Sequence, residues 1–317
     1  MNRKHDGFWI LLTVITLLVS CVIYDLCGNP KNTQTALIGV SEMTLNNPFY
    51  EVINNELLKQ TKARGDQLLI LDPMLDANRQ AEQLLQMIEQ QVDAIILNPV
   101  DSSALEGPLQ KAKEADIPVV VIDSPIEHET LIESTIVSKN YLAGQICAKA
   151  MMDTQDSARI LLLEHSQADS ARDRINGFLD AMKDHPQYQV ITRAECEGQL
   201  EKAMPVTTQA LQKHPQIDTV MALNDPSALG ACAVADVLGV TDLAIYGVDG
   251  TPDFKTRMHE DQRLKATVAQ SPYTMAKKAA DSVYRLLEGR PVEVSQLVDV
   301  QLIDRNSLAG YSLEGWQ

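Results

Sequence analysis

At 317 residues, with 45% hydrophobic and 22% charged side chains, the chain is long enough for two α/β lobes with separate cores, and its composition is ordinary for a soluble globular protein. Its 43 acidic and 27 basic residues leave a formal charge of −16, and no basic run follows the leader, so a nucleic-acid duplex would be repelled. Five cysteines, at positions 21, 27, 147, 196 and 232, form no CxxC pair and imply no disulfide framework; Cys147 and Cys232 fall in apolar helical patterns, as small core residues do.

In chain order the first element is a leader over residues 1–35. Arg3 and Lys4 precede an apolar run over 8–19, the size of a signal-peptide core. Leu18-Val19-Ser20-Cys21 resembles a bacterial lipobox, which would make Cys21 a lipidated N-terminus. Val22-Ile23-Tyr24 extends the run to about 17 residues, just enough to span a bilayer with Arg3 and Lys4 inside. Lipid anchor and uncleaved transmembrane helix both stay open. Either places the rest of the chain on the outer side of the cytoplasmic membrane, with residues 25–35 as a polar tether.

From residue 36, short apolar runs alternate with helical patterns. Strands are predicted over 36–40, 67–71, 92–97 and 119–122, and helices over 49–64, 78–91 and 103–115. Ala81, Leu84, Leu85 and Ile88 share one helical face. The series then restarts, with strands over 159–163, 189–192, 219–223 and 244–248 and helices over 170–183, 201–214 and 226–238. Pro205 predicts that the helix over 201–214 begins later than drawn. A strand over 264–269 and a helix over 271–287 follow. Such alternation predicts α/β lobes built on parallel sheets with right-handed crossovers. So many units exceed one small open sheet, which gives two similar lobes.

In open α/β sheets ligands bind beyond the carboxyl ends of the strands. The residues just past the predicted strands are polar: Asn47 with Phe49 and Tyr50, Asn98, Asp123, Asn224 with Asp225, Asp249, and Gln270. Carboxylates accept pairs of hydroxyl hydrogens, amides donate and accept, and an aromatic face covers the apolar side of a sugar ring. Arg174, early on the helix after the sixth strand, adds one cationic donor. Singly each has a plainer explanation: Asn46-Asn47-Pro48 as a turn and helix entry, Asn98-Pro99 and Asp249-Gly250 as turns, Asp225-Pro226 as a helix start, Arg174 as a solvated helix residue. Turns alone do not require such a group at nearly every strand end. The joint pattern points to an uncharged, hydroxyl-bearing ligand.

Six segments carry a resemblance to a known family: Leu45-Asn46-Asn47-Pro48-Phe49-Tyr50, Ile96-Leu97-Asn98-Pro99, the run 117–123 ending in Asp123, Ser170 to Arg174 with Gly177-Phe178, Leu223-Asn224-Asp225 with Ala228-Leu229-Gly230, and the run 247–253 around Asp249. In order and spacing, over residues 36–303, they resemble the bacterial ribose-binding proteins, which are type I periplasmic sugar-binding proteins. The resemblance implies two Rossmann-like lobes joined by a three-segment hinge. The N-terminal lobe would take 36–137 with 271–299, and the C-terminal lobe 138–270 with 300–317. It implies ligand contacts at Asn47, Phe49, Tyr50, Asn98, Asp123, Arg174, Asn224, Asp249 and Gln270. Met43 stands where a serine is expected, Ser124 where an arginine follows the aspartate, and Gly198 and Val248 at aromatic positions. These departures imply a roomier, more acidic pocket.

No phosphate loop, G-x-G-x-x-G after the first strand or G-x-S-x-G elbow occurs, and the six histidines show no HxH or HExxH spacing. Glu195 and Glu197 read as a solvated strand edge. The expectation is therefore a monomeric binding protein without catalysis, metal or cofactor, which captures a sugar or polyol for an ABC-type permease. A rival reading is a membrane-tethered sensory subunit serving a histidine kinase or chemoreceptor. A lactose-repressor-like regulatory core shares the fold but needs a basic helix-turn-helix where this chain has its apolar leader.

Overall fold

A computed structural model describes residues 35–317; the leader, with Arg3, Lys4 and the lipidation candidate Cys21, lies outside them. The first lobe runs through β1 (Leu37–Ser41), α1 (Pro48–Arg64), β2 (Gln67–Leu71), α2 (Ala77–Glu89), β3 (Ala94–Leu97), α3 (Glu106–Glu114), β4 (Val119–Ile122) and β5 (Ser134–Ser138). The second takes α4 (Asn140–Met152), β6 (Ala158–Glu164), α5 (Asp169–Met182), β7 (Tyr188–Glu195), α6 (Leu200–Lys213), β8 (Thr219–Ala222), α7 (Asp225–Leu238), β9 (Ala244–Asp249), α8 (Pro252–Glu260) and β10 (Leu264–Ala269). The chain then gives α9 (Pro272–Leu287) and β11 (Ser295–Val298) to the first lobe and β12 (Gln301–Asp304) to the second.

The local signals behind these elements are legible. Asn47 caps α1 by accepting from Phe49 N, Pro48 occupies the first helical position, and Gly65 closes the helix at φ 81°. β3 reads Ala-Ile-Ile-Leu and β4 Val-Val-Val-Ile, buried throughout, as strands covered on both faces must be.

The two sheets have matching orders, β11-β5-β4-β3-β1-β2 and β12-β10-β9-β8-β6-β7. All pairings are parallel except β12 against β10. The antiparallel edge departs from the all-parallel expectation, and its cause is the route of the chain. β11 runs toward the cleft, so β12, reached without a crossover helix, must run away from it.

Other departures have equally local causes. Pro205 lies inside α6, which starts at Leu200. The carbonyl deprived of its partner is that of Glu201, and both residues are exposed, so water can replace the lost bond. α4 was not among the predicted helices. It packs against α5 on one side and the second sheet on another, so its apolar residues form no single stripe. α8, which follows the Thr251-Pro252 cap, is likewise absent from the predicted helices. β11 and β12 are short edge strands in which only Val298 and Ile303 are buried, so neither carries an apolar run. Cys147, Cys196 and Cys232 are free and buried.

Candidate functional site

In a 2-1-3-4-5 strand order the crevice opens where the order reverses, between the first and third strands. Each sheet has such a point, at β1/β3 and at β6/β8, and the carboxyl ends of both face a shared cavity. Eight of the nine predicted contacts line it: Asn47, Phe49, Tyr50, Asp123, Arg174, Asn224, Asp249 and Gln270. Asn98 lies behind the wall, fully buried, and donates to Asp123 Oδ2 at 3.2 Å. Asn47 and Asn224 are also helix caps, Asn224 accepting from Ser227 N at 3.1 Å. Capping a helix therefore does not keep these asparagines out of the cavity wall.

Arg174 is the electrostatic centre. Its guanidinium is buried on α5, with Nε donating to Asn140 Oδ1 at 2.8 Å and Nη1 to Leu223 O at 3.0 Å. It lies 4.0 Å from Asp123 Oδ1 of the first lobe and 3.6 Å from Asp249 Oδ1 of the second. Tyr50 donates to Asp123 Oδ2 at 3.1 Å, and Gln270 Nε2 to Asp249 Oδ1 at 2.7 Å. Both aspartates have left-handed or neighbouring backbone, φ 62° for Asp123 and φ 135° for Asp249. Strained side-chain-bearing residues of this kind concentrate at functional sites.

Among the described residues, Asn98 Oδ1, Asp123 Oδ1, Asp249 Oδ2 and Gln270 Oε1 are buried acceptors without a hydrogen-bond donor. Burial raises the pKa of Asp123, and raises that of Asp249 to about 7 against the opposing pull of Arg174. The arrangement therefore offers acceptors on both lobes around one guanidinium. It suits a small, donor-rich, uncharged molecule, since hydroxyl groups would supply the absent donors.

The lobes also touch directly at the mouth. Asn46 Nδ2 donates to Gln199 Oε1 at 3.0 Å and to Glu201 Oε1 at 2.8 Å, and Ser102 Oγ to Asp169 Oδ1 at 3.1 Å. Ser124, where the resemblance leads one to expect an arginine, accepts from Ser170 N at 3.2 Å and so joins the lobes by a neutral bond. Gly198 lines the cavity at φ 68°, and a Cβ there would sit 2.9 Å from Asn224 Nδ2. Val248 is wholly buried in the core and forms no wall.

Several residues escaped the sequence reading. His165 directly follows β6 and lines the cavity, so a stricter use of the strand-end rule finds it. Glu42 follows β1, fully buried, with neither carboxylate oxygen hydrogen-bonded; burial, and then the charge of Asp123, push its pKa well above the usual range. The paired reading of Glu195 and Glu197 as a solvated edge needs correction. Glu195 is exposed, but Glu197, at φ 51°, turns the chain into the cavity wall.

Residues 38–291 match a family described as a periplasmic binding protein domain. The chain is 32% identical over 290 residues, 90% of its own length and 93% of the relative's, to a ribose import binding protein of Bacillus subtilis (strain 168). Among solved structures, an ABC transporter solute binding protein from Mycobacterium smegmatis with bound glycerol matches at a TM-score of 0.83 and 27% identity, over 89% of this chain and 100% of that one. Another from Agrobacterium vitis, with bound D-fucose, matches at 0.81 and 26%, over 86% and 97%.

Proposed function

The chain belongs to the periplasmic binding protein family, and from that membership we propose that it captures a sugar or related polyol between its lobes and hands it to an ABC-type permease. The observation that carries the reading is the set of unpartnered acceptors supplied by both lobes around Arg174. A polyhydroxylated ligand donates to both sides at once and so favours the closed arrangement, which is conformational coupling without chemistry. The moving bodies are residues 36–137 with 271–299 and residues 138–270 with 300–317, acting as a monomer. Import is preferred to sensing because the relatives are named as import and transporter proteins.

A ligand that binds only the native state raises its melting temperature, and saturation at a hundred times Kd is worth about 2.7 kcal/mol. The detergent-solubilised full chain, screened against D-ribose, D-fucose, glycerol and further pentoses, hexoses and polyols, is expected to melt about 5–10 °C higher with at least one of them. Shifts with amino acids alone would overturn the reading.

The folded part is extracytoplasmic and is held at the membrane by the leader. Lipidation at Cys21 predicts palmitate labelling that Cys21→Ala abolishes, whereas membrane retention without labelling assigns the anchor to an uncleaved helix.

A further inference from the structure

After β12 the last thirteen residues, 305–317, fold back over the body, with Tyr311, Leu313 and Trp316 packed against the main core. Two contacts fix the end of this segment. Lys255, fully buried on α8 of the second lobe, donates from Nζ to Ser312 O at 2.7 Å and also to Gly315 O. The indole of Trp316 meets the Phe49 ring of the first lobe edge-on, with centroids 5.7 Å apart and planes at 64°.

Phe49 is not a remote ring. It lines the cavity, and its other neighbour is Tyr50, at 5.6 Å and 83°, whose hydroxyl donates to Asp123. A line of contacts therefore runs from Lys255 through the chain end to Trp316, Phe49, Tyr50 and Asp123. Burying a lysine is costly unless its ammonium protons find acceptors, and here two of the acceptors it finds are carbonyls of the final six residues. The tie is additional to the three places where the chain itself crosses between the lobes.

We propose that the C-terminal segment 305–317 is a strap between the lobes, fastened to the second by Lys255, and that Trp316 is a positioning residue which holds Phe49 against the solute. The inference rests on the sugar-binding reading for its ligand but not for its mechanics. Opening the cleft must either part Trp316 from Phe49 or draw the chain end off Lys255, so the strap biases the lobes toward the closed arrangement.

The sequence holds two tryptophans, Trp9 and Trp316, so the full chain carrying Trp9→Phe reports on Trp316 alone. In that background Lys255→Met is expected to make Trp316 fluorescence markedly more quenchable by acrylamide. Equal quenching in both proteins would overturn the strap. Next, D-ribose, D-allose, D-fucose and glycerol are titrated into the full chain and its variants. For any of the four that stabilises the parent, Trp316→Ala should weaken binding about three- to tenfold, the worth of one aromatic pair. Trp316→Phe should restore it. A purely structural role would instead lower the melting temperature of Trp316→Ala without changing Kd, and Trp316→Ala binding within about twofold of the parent, a difference of about 0.4 kcal/mol, would overturn the positioning role. If none of the four stabilises the parent, the sugar-binding reading fails for these ligands, and the quenching comparison still decides the strap.

Discussion

Asp123→Asn and Asp249→Asn are each expected to weaken sugar binding by roughly ten- to a hundredfold, because a hydrogen bond to a charged group is worth about 1.5–3 kcal/mol and each tenfold about 1.4 kcal/mol. Asparagine preserves the shape and can still accept from Gln270 at position 249, so the change removes charge and one acceptor without opening a cavity. The effect at Asp249 depends on pH. Burial raises its pKa to about 7 in the fold, far above its ordinary 3.8. Its contribution to stability is therefore fully present below the unfolded value and is lost as pH rises through about 7, when the buried carboxyl ionises. Affinity for a donor-rich ligand moves the opposite way, since the ionised carboxylate is the better acceptor. Calorimetric titration should thus find a larger penalty for Asp249→Asn at pH 8 than at pH 6, with the variant flatter than the parent across that range. Binding of both variants within about twofold of the parent, only about 0.4 kcal/mol, would show that the site is elsewhere.

Gly144→Ala is expected to lower the melting temperature by about 4–8 °C, equivalent to a loss of about 2 kcal/mol in a protein of this size. α4 crosses α5 so closely that a Cβ on Gly144 would lie 1.8 Å from Arg174 O and 2.8 Å from Phe178 N. The reciprocal contact, Gly177 against Tyr141 O at 2.0 Å, is as tight. These obstacles are backbone atoms and cannot rotate aside, so the helices must part. That outweighs the roughly 1 kcal/mol by which alanine is the better helix former. Because α5 carries Arg174, sugar affinity should fall with stability. Gly107 on α3, with nothing within 4 Å of its Cβ position, is the control, and Gly107→Ala is expected to melt no lower than the parent. Gly144→Ala melting as high as Gly107→Ala would rule out this close crossing.

The two α/β lobes were legible in the residues alone, because strands buried on both faces, such as Ala94–Leu97 and Val119–Ile122, must be continuously apolar, and helices between them must show a stripe. Most of the cavity wall was legible too, since a sheet aims whatever ends or follows its strands into one crevice: Asp249 closes β9, and Asn47, Asp123, Asn224 and Gln270 come after strands. Features that depend on two distant segments meeting emerge only in the folded chain. α4 carries no clear stripe because it is wrapped by α5 and the second sheet together. Asn98 reads like its neighbours, yet it stands behind Asp123 instead of beside it. Glu197 belongs to the wall through a left-handed backbone turn that no periodicity reveals. Glu42 is costly because the fold buries it and brings the charge of Asp123 near, and Trp316 meets Phe49, 267 positions earlier, beside a chain end whose carbonyls accept from Lys255. Periodicity records which face of one element is covered, whereas partners brought from elsewhere in the chain leave no local trace.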